Sequence, residues 1–288
     1  MANHMNDPLK SGEKQSDSTR KAAIPRLRAM PRDLLLCLAF FTRLPVSPDL
    51  EQPADMSASS QMFPAIGLVI GAIGSLTMAA AWLLNLPVMA ISILSVAAMI
   101  LATGALHEDG LADMVDGFGG GRDRKRKLEI MRDSHIGTYG VLALVLSQGL
   151  RISLLSSLVS ADLIVAMAAL TASAVASRAA SMVLWSALPP ARNDGLSRHV
   201  GQPDRTALTF AMAMTVVVLV VLLVWSAGPA ALGTAVVVSA FSIWLLMLLC
   251  RHQISGQTGD TIGAAQQISE LAFMAGLLMS VGNIVELT

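Results

Sequence analysis

Residues 207–227 read ALTFAMAMTVVVLVVLLVWSA and residues 230–249 read AALGTAVVVSAFSIWLLMLL, with only Gly228 and Pro229 between them. Neither run contains Lys, Arg, Asp or Glu. A helix of about 20 apolar residues matches the thickness of the hydrocarbon core of a bilayer. This stretch therefore predicts two adjacent transmembrane helices and decides the fold class.

The rest of the chain has the same character. Of its 288 residues, 54% are hydrophobic and 14% are charged, whereas soluble domains carry about 25% charged residues. A weaker apolar segment, Ile262–Val285, either packs inside the bundle or spans it partly, and Leu34–Leu44 is too short to cross, so it lies in the interface or re-enters. We predict an all-α, polytopic integral membrane helical bundle of about six to seven transmembrane helices with no soluble domain. The predicted spans are Met62–Leu84, Val88–Leu106, Gly137–Val159, Leu163–Leu188, Ala207–Ala227 and Ala230–Leu249.

The positions of the basic residues predict the orientation. Lys and Arg occur in residues 1–32, 121–133 and 189–206 and at Arg251, whereas the short loops at the other ends of the spans contain none. Basic loops stay cytoplasmic, so the N-terminus and all polar motifs are predicted to face the cytoplasm. Residues 1–32 are polar, which excludes a secretory signal peptide and predicts a disordered cytoplasmic tail ahead of a membrane-embedded catalytic domain, residues 33–288.

Charge balance and cysteine content exclude several other classes. The formal net charge is zero, which gives no indication of a nucleic-acid partner. Cys37 and Cys250 lie at the edges of apolar segments and support neither a disulfide framework nor a zinc site. The bilayer itself is the predicted macromolecular environment.

The most informative polar stretch is HEDGLADMVDGFGGG, residues 107–121. Asp109, Asp113 and Asp116 follow i, i+4, i+7 spacing and fall within about 60° of one helical face. Such carboxylates repel one another and favour a hard cation, and Mg²⁺ also keeps waters and binds phosphates. Glu108 points off this face. The alternative is a solvated acidic helix end paired with the neighbouring Arg/Lys run.

A glycine-rich turn and a basic loop follow the aspartates. Gly117, Gly119 and the two glycines after them are expected to break the helix and to let backbone N–H groups approach a phosphate. Six basic residues come next, beginning with Arg122. A metal site, a turn and a basic loop within 25 residues are suited to a diphosphate. The alternative gives the glycines a turn role only and part of the basic loop a lipid-anchoring role.

Two further polar clusters precede apolar segments. In the first, Arg132, Asp133 and His135 lead into a span, and either Asp133 or His135 is a candidate general base, with helix capping as the alternative. The second, residues 252–270, includes Thr258, Asp260 and the intramembrane Glu270, for which the alternatives are a functional carboxylate and a hydrogen-bonded core acid.

Arg151 and Arg178 fall inside apolar spans, where a charge is costly. For Arg178, midway along its span, an anion contact and a structural role remain equal alternatives. For Arg151 we expect a structural role, in which the side chain either snorkels or pairs with a carboxylate.

At these residues the chain resembles the cobalamin synthase family, the adenosylcobinamide-GDP ribazoletransferases, and the matching pieces occur in order over nearly everything after the tail. Glu108 and His135 are small departures, and the second weakens His135 as an essential base. The matching pieces are FFTRLP (40–45), FPAIG (63–67), TGALHEDGLADMVDG (103–117), LEIMRDSHIGTYGVLA (128–143) and GQTGDTIGA (256–264).

The resemblance implies a Mg²⁺-dependent inner-membrane enzyme that joins adenosylcobinamide-GDP to α-ribazole or its 5′-phosphate and releases GMP, with other corrinoid-assembly enzymes as candidate partners. Mg²⁺ on the three stripe aspartates would bridge the diphosphate, with Asp260 as a second metal ligand or a ribazole contact. Asp133 and His107 are the candidate catalytic residues. The candidate cofactor- and substrate-binding residues are Gly117, Gly119, Arg122, Arg132 and Thr258.

Three rival interpretations follow from the sequence. A CDP-alcohol phosphotransferase also carries aspartates on a membrane helix, but its stripe contains an Ala-Arg pair where this chain has Ala112-Asp113. A transporter or channel should carry polar residues at midplane in several spans, and the span Ala207–Ala227 is almost wholly apolar. A structural scaffold would leave the carboxylate stripe unexplained.

Overall fold

The computed structural model describes residues 29–47, 55–192 and 200–285, with side chains as far as residue 280. In these ranges the regular structure is helical, apart from one isolated parallel bridge between Pro190 and Gln257. The first helix begins at residue 29, inside the predicted tail, whose residues 1–28 lie outside the described part of the chain. The helices are α1 (29–41), α2 (Met56–Leu83), α3 (Val88–Thr103), α4 (Leu106–Gly120), α5 (Arg124–Ile130), α6 (Thr138–Ala161), α7 (Leu163–Ala187), α8 (Arg205–Leu223), α9 (Pro229–Ile254) and α10 (Gly259–Val285).

The predicted membrane-protein fold is confirmed. Six of the described helices are long and apolar enough to cross a bilayer, and the bent pair α3–α4 raises the number to seven if it counts as one span. The uncertain last segment forms a 27-residue helix, α10, and its polar side chains Gln266, Gln267 and Glu270 are buried in the bundle. The short helix α1 covers most of Leu34–Leu44 and is too short to cross.

The second predicted span, Val88–Leu106, is wrong as one continuous helix. Helix α3 ends at Thr103 because Gly104 and Ala105 both adopt left-handed backbone conformations, with φ of 63° and 59°. The chain turns by 88° and continues as α4. The 16 residues of α3 extend about 24 Å, less than the roughly 30 Å of a hydrocarbon core. The aspartates therefore lie on a separate helix that runs across the bundle.

Helix α7 forms the centre of the bundle, and its small residues allow close helix crossings. A Cβ atom at Gly67 of α2 would lie 2.5 Å from the carbonyl oxygen of Ala174, and one at Gly71 would lie 2.6 Å from Cα of Thr171. The glycines are four residues apart on α2 and therefore share the face that contacts α7. Large apolar side chains such as Trp225 and Leu83 point outward, as expected for surfaces that contact lipid.

Candidate active site

A cavity of about 320 Å³ lies between α1, α2, α4, α7 and the start of α10. We call it the main cavity. One wall is apolar and aromatic, and the other is polar. The aromatic wall is formed by Phe40, Phe41, Phe63, Leu106 and Trp185, and the polar wall by His107, Asp109, Arg178, Arg192, Thr258 and Asp260.

The polar wall forms where α4 crosses the first turn of α10. A Cβ atom at Gly110 would lie 2.9 Å from the carbonyl oxygen of Asp260, so the backbones touch here because residue 110 lacks a side chain. The crossing places Asp109 and Asp260, 151 positions apart in the chain, on one wall. Thr258 Oγ1 donates a hydrogen bond to Asp260 Oδ2 at 3.1 Å, which orients that carboxylate.

Asp113 belongs to the same negative region, since it interacts electrostatically with Asp109, Asp260 and Asp116. The guanidinium of Arg192 lies 3.7 Å from Asp260 Oδ2 and donates to the carbonyl oxygen of Leu128 at 2.9 Å. A single arginine cannot offset several carboxylates, so the region is suited to a further cation.

Carboxylate oxygens are the kind of ligand that Mg²⁺ prefers, and Mg²⁺ at this site stays a prediction. Among the described residues, no three His, Cys, Asp or Glu side chains converge closely enough to enclose a metal ion. Mg²⁺ does not need such a cage, because it usually binds one or two carboxylates and fills its other positions with water and phosphate oxygens. Asp109, Asp113 and Asp260 could supply those carboxylates at the mouth of the main cavity.

Asp116 forms hydrogen bonds with a different part of the protein from the other two aspartates of the stripe. Its Oδ2 accepts a hydrogen bond from Gly137 N at 2.7 Å and its Oδ1 accepts one from Gly140 N at 2.8 Å. A Cβ atom at Gly140 would lie 2.3 Å from Asp116 Oδ2, so the contact requires glycine there. The predicted stripe is thus divided: Asp109 and Asp113 lie near α10, and Asp116 anchors the start of α6.

Asp116 also lines a second, more open cavity of about 310 Å³, together with Asp133 and His135. Asp133 Oδ1 accepts a hydrogen bond from His135 N at 3.1 Å and lies 2.7 Å from His135 Nδ1. The hydrogen bond from the His135 side chain, and then that from its backbone, lowers the pKa of Asp133 below its usual value. A lower pKa makes a carboxylate a weaker base. Of the two candidate catalytic residues, only His107 lines the main cavity, where its ring stacks on Phe41 at 5.9 Å.

The helix ends within the predicted glycine run, at its last two residues. Helix α4 continues through Gly117 and Gly119 to Gly120, and Gly121 is extended. The earlier glycines instead allow the next elements to pack closely. A Cβ atom at Gly117 would lie 2.4 Å from Cγ of Met131, and one at Gly119 would lie 2.9 Å from the ring of Tyr139. The structure thus gives both glycines a packing contact, and phosphate binding by them stays a prediction.

The basic segment is partly structural. Arg124 Nε donates to the carbonyl oxygen of Ile254 at 2.8 Å, and Lys127 donates to Gln253 Oε1, so α5 is fastened to the end of α9. Arg122 and Arg132 are exposed and line neither cavity, whereas Thr258 lines the main cavity. The role of Arg122 and Arg132 as substrate contacts stays a prediction.

A buried charged network lies beneath the main cavity. Arg151 Nη1 is 3.5 Å from Glu108 Oε1, and Arg151 Nη2 pairs with Glu270 Oε1. Gln267 Nε2 donates to Glu108 Oε1 at 3.0 Å, and Gln266 Nε2 donates to Glu270 Oε2. The expected carboxylate partner of Arg151 is thus confirmed, and Glu108 points away from the aspartates as predicted.

Sequence reasoning did not assign a site role to Arg192 or to the aromatic wall. The sequence signal for Arg192 was weak, since it is one of several arginines in a basic loop. Arg178 carried a stronger signal, a charge inside an apolar span, and the structure places it on the polar wall of the main cavity.

The profile of the cobalamin-5-phosphate synthase family matches residues 33–278. The chain belongs to this family. No solved structure matches the chain.

Relatives within the family are similar along almost their whole length. A protein of Azorhizobium caulinodans named adenosylcobinamide-GDP ribazoletransferase is 43% identical over 251 residues, which cover 86% of this chain and 95% of the relative. A protein of Mesorhizobium japonicum with the same name is 44% identical over 256 residues, which cover 87% and 96%. A third, from Brucella anthropi, is 38% identical over 251 residues, covering 86% and 96%. The family resemblance noted in the sequence is confirmed.

Proposed function

We propose that this chain is a membrane-embedded adenosylcobinamide-GDP ribazoletransferase that acts late in cobalamin biosynthesis. A ribose hydroxyl of α-ribazole, or of its 5′-phosphate, attacks the phosphorus on the corrinoid side of the diphosphate. The bond from that phosphorus to the bridging oxygen breaks, GMP leaves with the electron pair, and the hydroxyl proton passes to a base. The family relationship supports this reaction more strongly than either rival activity or a scaffold role.

The observation that carries the proposal is the meeting of Asp109, Asp260 and Arg192 at the mouth of a cavity with an aromatic wall. Mg²⁺ held there by Asp109, Asp113 and Asp260 would offset the negative charge of a diphosphate, the main requirement of phosphoryl transfer. Arg192 would bind phosphate oxygens beside it. The aromatic wall offers flat apolar surfaces against which a base can stack, and it excludes water.

Two residues are candidates for accepting the hydroxyl proton. His107 is the better placed, because it lines the main cavity and its ring stacks on Phe41. Asp133 lines the second cavity and does not line the main one. We therefore assign His107 the proton-accepting role and retain Asp133 as the alternative.

The test is an assay of GMP release by the purified protein, from adenosylcobinamide-GDP plus α-ribazole, with and without Mg²⁺. Asp109→Asn and Asp260→Asn should each lower turnover at least about 100-fold, because even groups that only orient metal ligands contribute 10- to 100-fold. Asp162→Asn is the matched control, since Asp162 only caps α7 through Val165 N, at 2.8 Å, and Asn caps equally well. Full turnover after complete chelation would contradict the metal assignment.

We also propose that the protein lies in the inner membrane with its N-terminus and main cavity on the cytoplasmic side. The basic helix α5 is fastened to the end of α9, and Arg192 contacts both Leu128 and the cavity-lining Asp260, so these basic residues share one end of the bundle. The positive-inside rule places that end in the cytoplasm. Ser134→Cys and Ser160→Cys test this, because both positions are exposed and flank the ends of α6. A thiol reagent confined to the periplasm should label only the variant at residue 160, and labelling of the other would refute the orientation.

A further inference from the structure

Arg178 is a buried cation without a carboxylate partner. Its side chain is 3% exposed, and among the described residues no ion pair joins it to an acidic group. Its Nη1 donates to the carbonyl oxygen of Ala174, one turn back on its own helix, at 2.9 Å. Its buried Nε, like that of Arg151, has no hydrogen-bond partner among the described residues. Because a buried charge is costly unless paired, a guanidinium with no direct ion pair would gain from a bound anion.

The other buried arginine of the bundle shows what compensation looks like. Arg151 is equally buried, but it contacts both Glu108 and Glu270. These two carboxylates act on Arg178 only from a greater distance. Of the two central arginines, only Arg151 has direct ion pairs among the described residues, and Arg178 lines the main cavity.

The surroundings of Arg178 indicate what kind of anion would bind there. Ser181 and Trp185 follow it on the same face of α7, and all three line the cavity. Trp185 stacks on Phe63, with ring centroids 5.9 Å apart and planes at 17°. A phosphate on the guanidinium would thus have flat aromatic surfaces beside it, on which an attached heterocyclic base could stack.

This position is separate from the carboxylate mouth. Arg178 lies nine residues before the end of α7 at Ala187, about 14 Å along the helix. Arg192 follows that end in the chain and lies 3.7 Å from Asp260. The cavity lining therefore includes two separate cationic side chains, Arg192 near the candidate metal ligands and Arg178 on α7.

We propose that Arg178 binds the phosphate of a nucleotide in the main cavity. The inference rests on the proposed function, which supplies two such phosphates: the 5′-phosphate of α-ribazole 5′-phosphate and the phosphate that leaves as GMP. In either case the guanidinium forms a charge-assisted hydrogen bond and the phosphate supplies the missing counter-ion.

The kinetic test compares wild type with Arg178→Met and Arg178→Lys, following GMP release. Loss of a charged hydrogen bond should raise KM about 10- to 100-fold for the substrate whose phosphate binds there, and Lys should restore part of the loss. A higher KM for α-ribazole 5′-phosphate but not for α-ribazole would show that Arg178 binds the 5′-phosphate of the acceptor. A higher KM for adenosylcobinamide-GDP alone would show that it binds the phosphate that leaves as GMP. Unchanged KM values for all three substrates, or a loss of kcat alone, would overturn the proposal.

A thermal-shift arm needs no turnover and separates this proposal from the proposed function. GMP and α-ribazole 5′-phosphate are added in turn to purified protein, and at least one should raise the Tm of wild type but not of Arg178→Met.

Without ligand, the Tm of Arg178→Met should equal or exceed that of wild type. The Tm of Arg151→Met should be lower, because that substitution leaves two buried carboxylates without their partner. If wild type releases no GMP yet shows the Arg178-dependent Tm rise, only the reaction is wrong. If the ligand-free Tm falls as far in Arg178→Met as in Arg151→Met, Arg178 has a structural role and the inference is wrong.

Discussion

Replacing Gly110 by Ala should impair catalysis by separating α4 from α10. The added Cβ atom would lie 2.9 Å from the Asp260 carbonyl oxygen and 3.2 Å from its Cα. Ordinary van der Waals contact begins near 3.4 Å, so the backbones must move apart by about 0.5 Å. A displacement of about 1 Å at an active site can cost 100-fold in rate, so half that displacement predicts a loss of about 10-fold.

Gly263 provides a matched control at the same crossing. A Cβ atom there would lie 3.5 Å from Cα of Gly110, an ordinary contact, so Gly263→Ala should fit without displacement. Both substitutions add one methyl group and raise helix propensity equally, by about 1 kcal/mol. The assay measures GMP release and the Tm of both variants in the same detergent. Equal activities of the two variants would refute the view that this close crossing positions Asp260 for catalysis.

Three further predictions concern the elements around the main cavity. Arg151→Met should lower the free energy of unfolding by about 3 to 5 kcal/mol, because it leaves buried carboxylates without their partner. Adding Glu270→Gln to this variant should restore part of the lost Tm. Additive losses of Tm from the two substitutions would contradict the ion pair. His135→Ala removes the side-chain hydrogen bond, which contributes most to the lowered pKa of Asp133, and keeps the backbone hydrogen bond, so that pKa rises part of the way. If Asp133 were the base, the acid limb of the kcat profile would move to higher pH; we expect no movement, because His107 has that role. Gly140→Ala should weaken the start of α6, seen as lower Tm, because its Cβ would collide with a carboxylate oxygen at 2.3 Å.

The number and type of helices could be predicted because both depend on local sequence. A run such as residues 207–227 must be helical in a bilayer whatever surrounds it, since every backbone polar group has to be satisfied internally. The bend at Gly104 and Ala105 could not be found in this way, because hydropathy continues through it. Only Gly104 gave a local signal, and a single glycine in an apolar segment is usually tolerated.

The candidate site was predictable as a set of residues but not as an arrangement. Helical spacing identified Asp109, Asp113 and Asp116 as neighbours along one helix, but it could not show which neighbouring helix each would contact. Asp116 contacts α6 because Gly137 and Gly140 lack side chains, and Asp109 meets Asp260 because Gly110 lets α10 approach. In each case a glycine at the point of contact permits the partner to approach, and the spacing of the aspartates does not show which helix will do so.

The two arginines inside apolar spans show where a physical argument from sequence ends and one from structure begins. Both carry the same insertion cost, and the sequence around each is similarly apolar, so sequence alone cannot separate a structural role from a ligand-binding role. The structure separates them by counting counter-charges: Arg151 has two carboxylates within 3.5 Å or less, and Arg178 has no ion pair among the described residues. A guanidinium that lines a cavity and has no direct ion pair gains one when a phosphate binds there. The same feature that makes Arg178 unfavourable without ligand therefore makes it a selective contact for a phosphate.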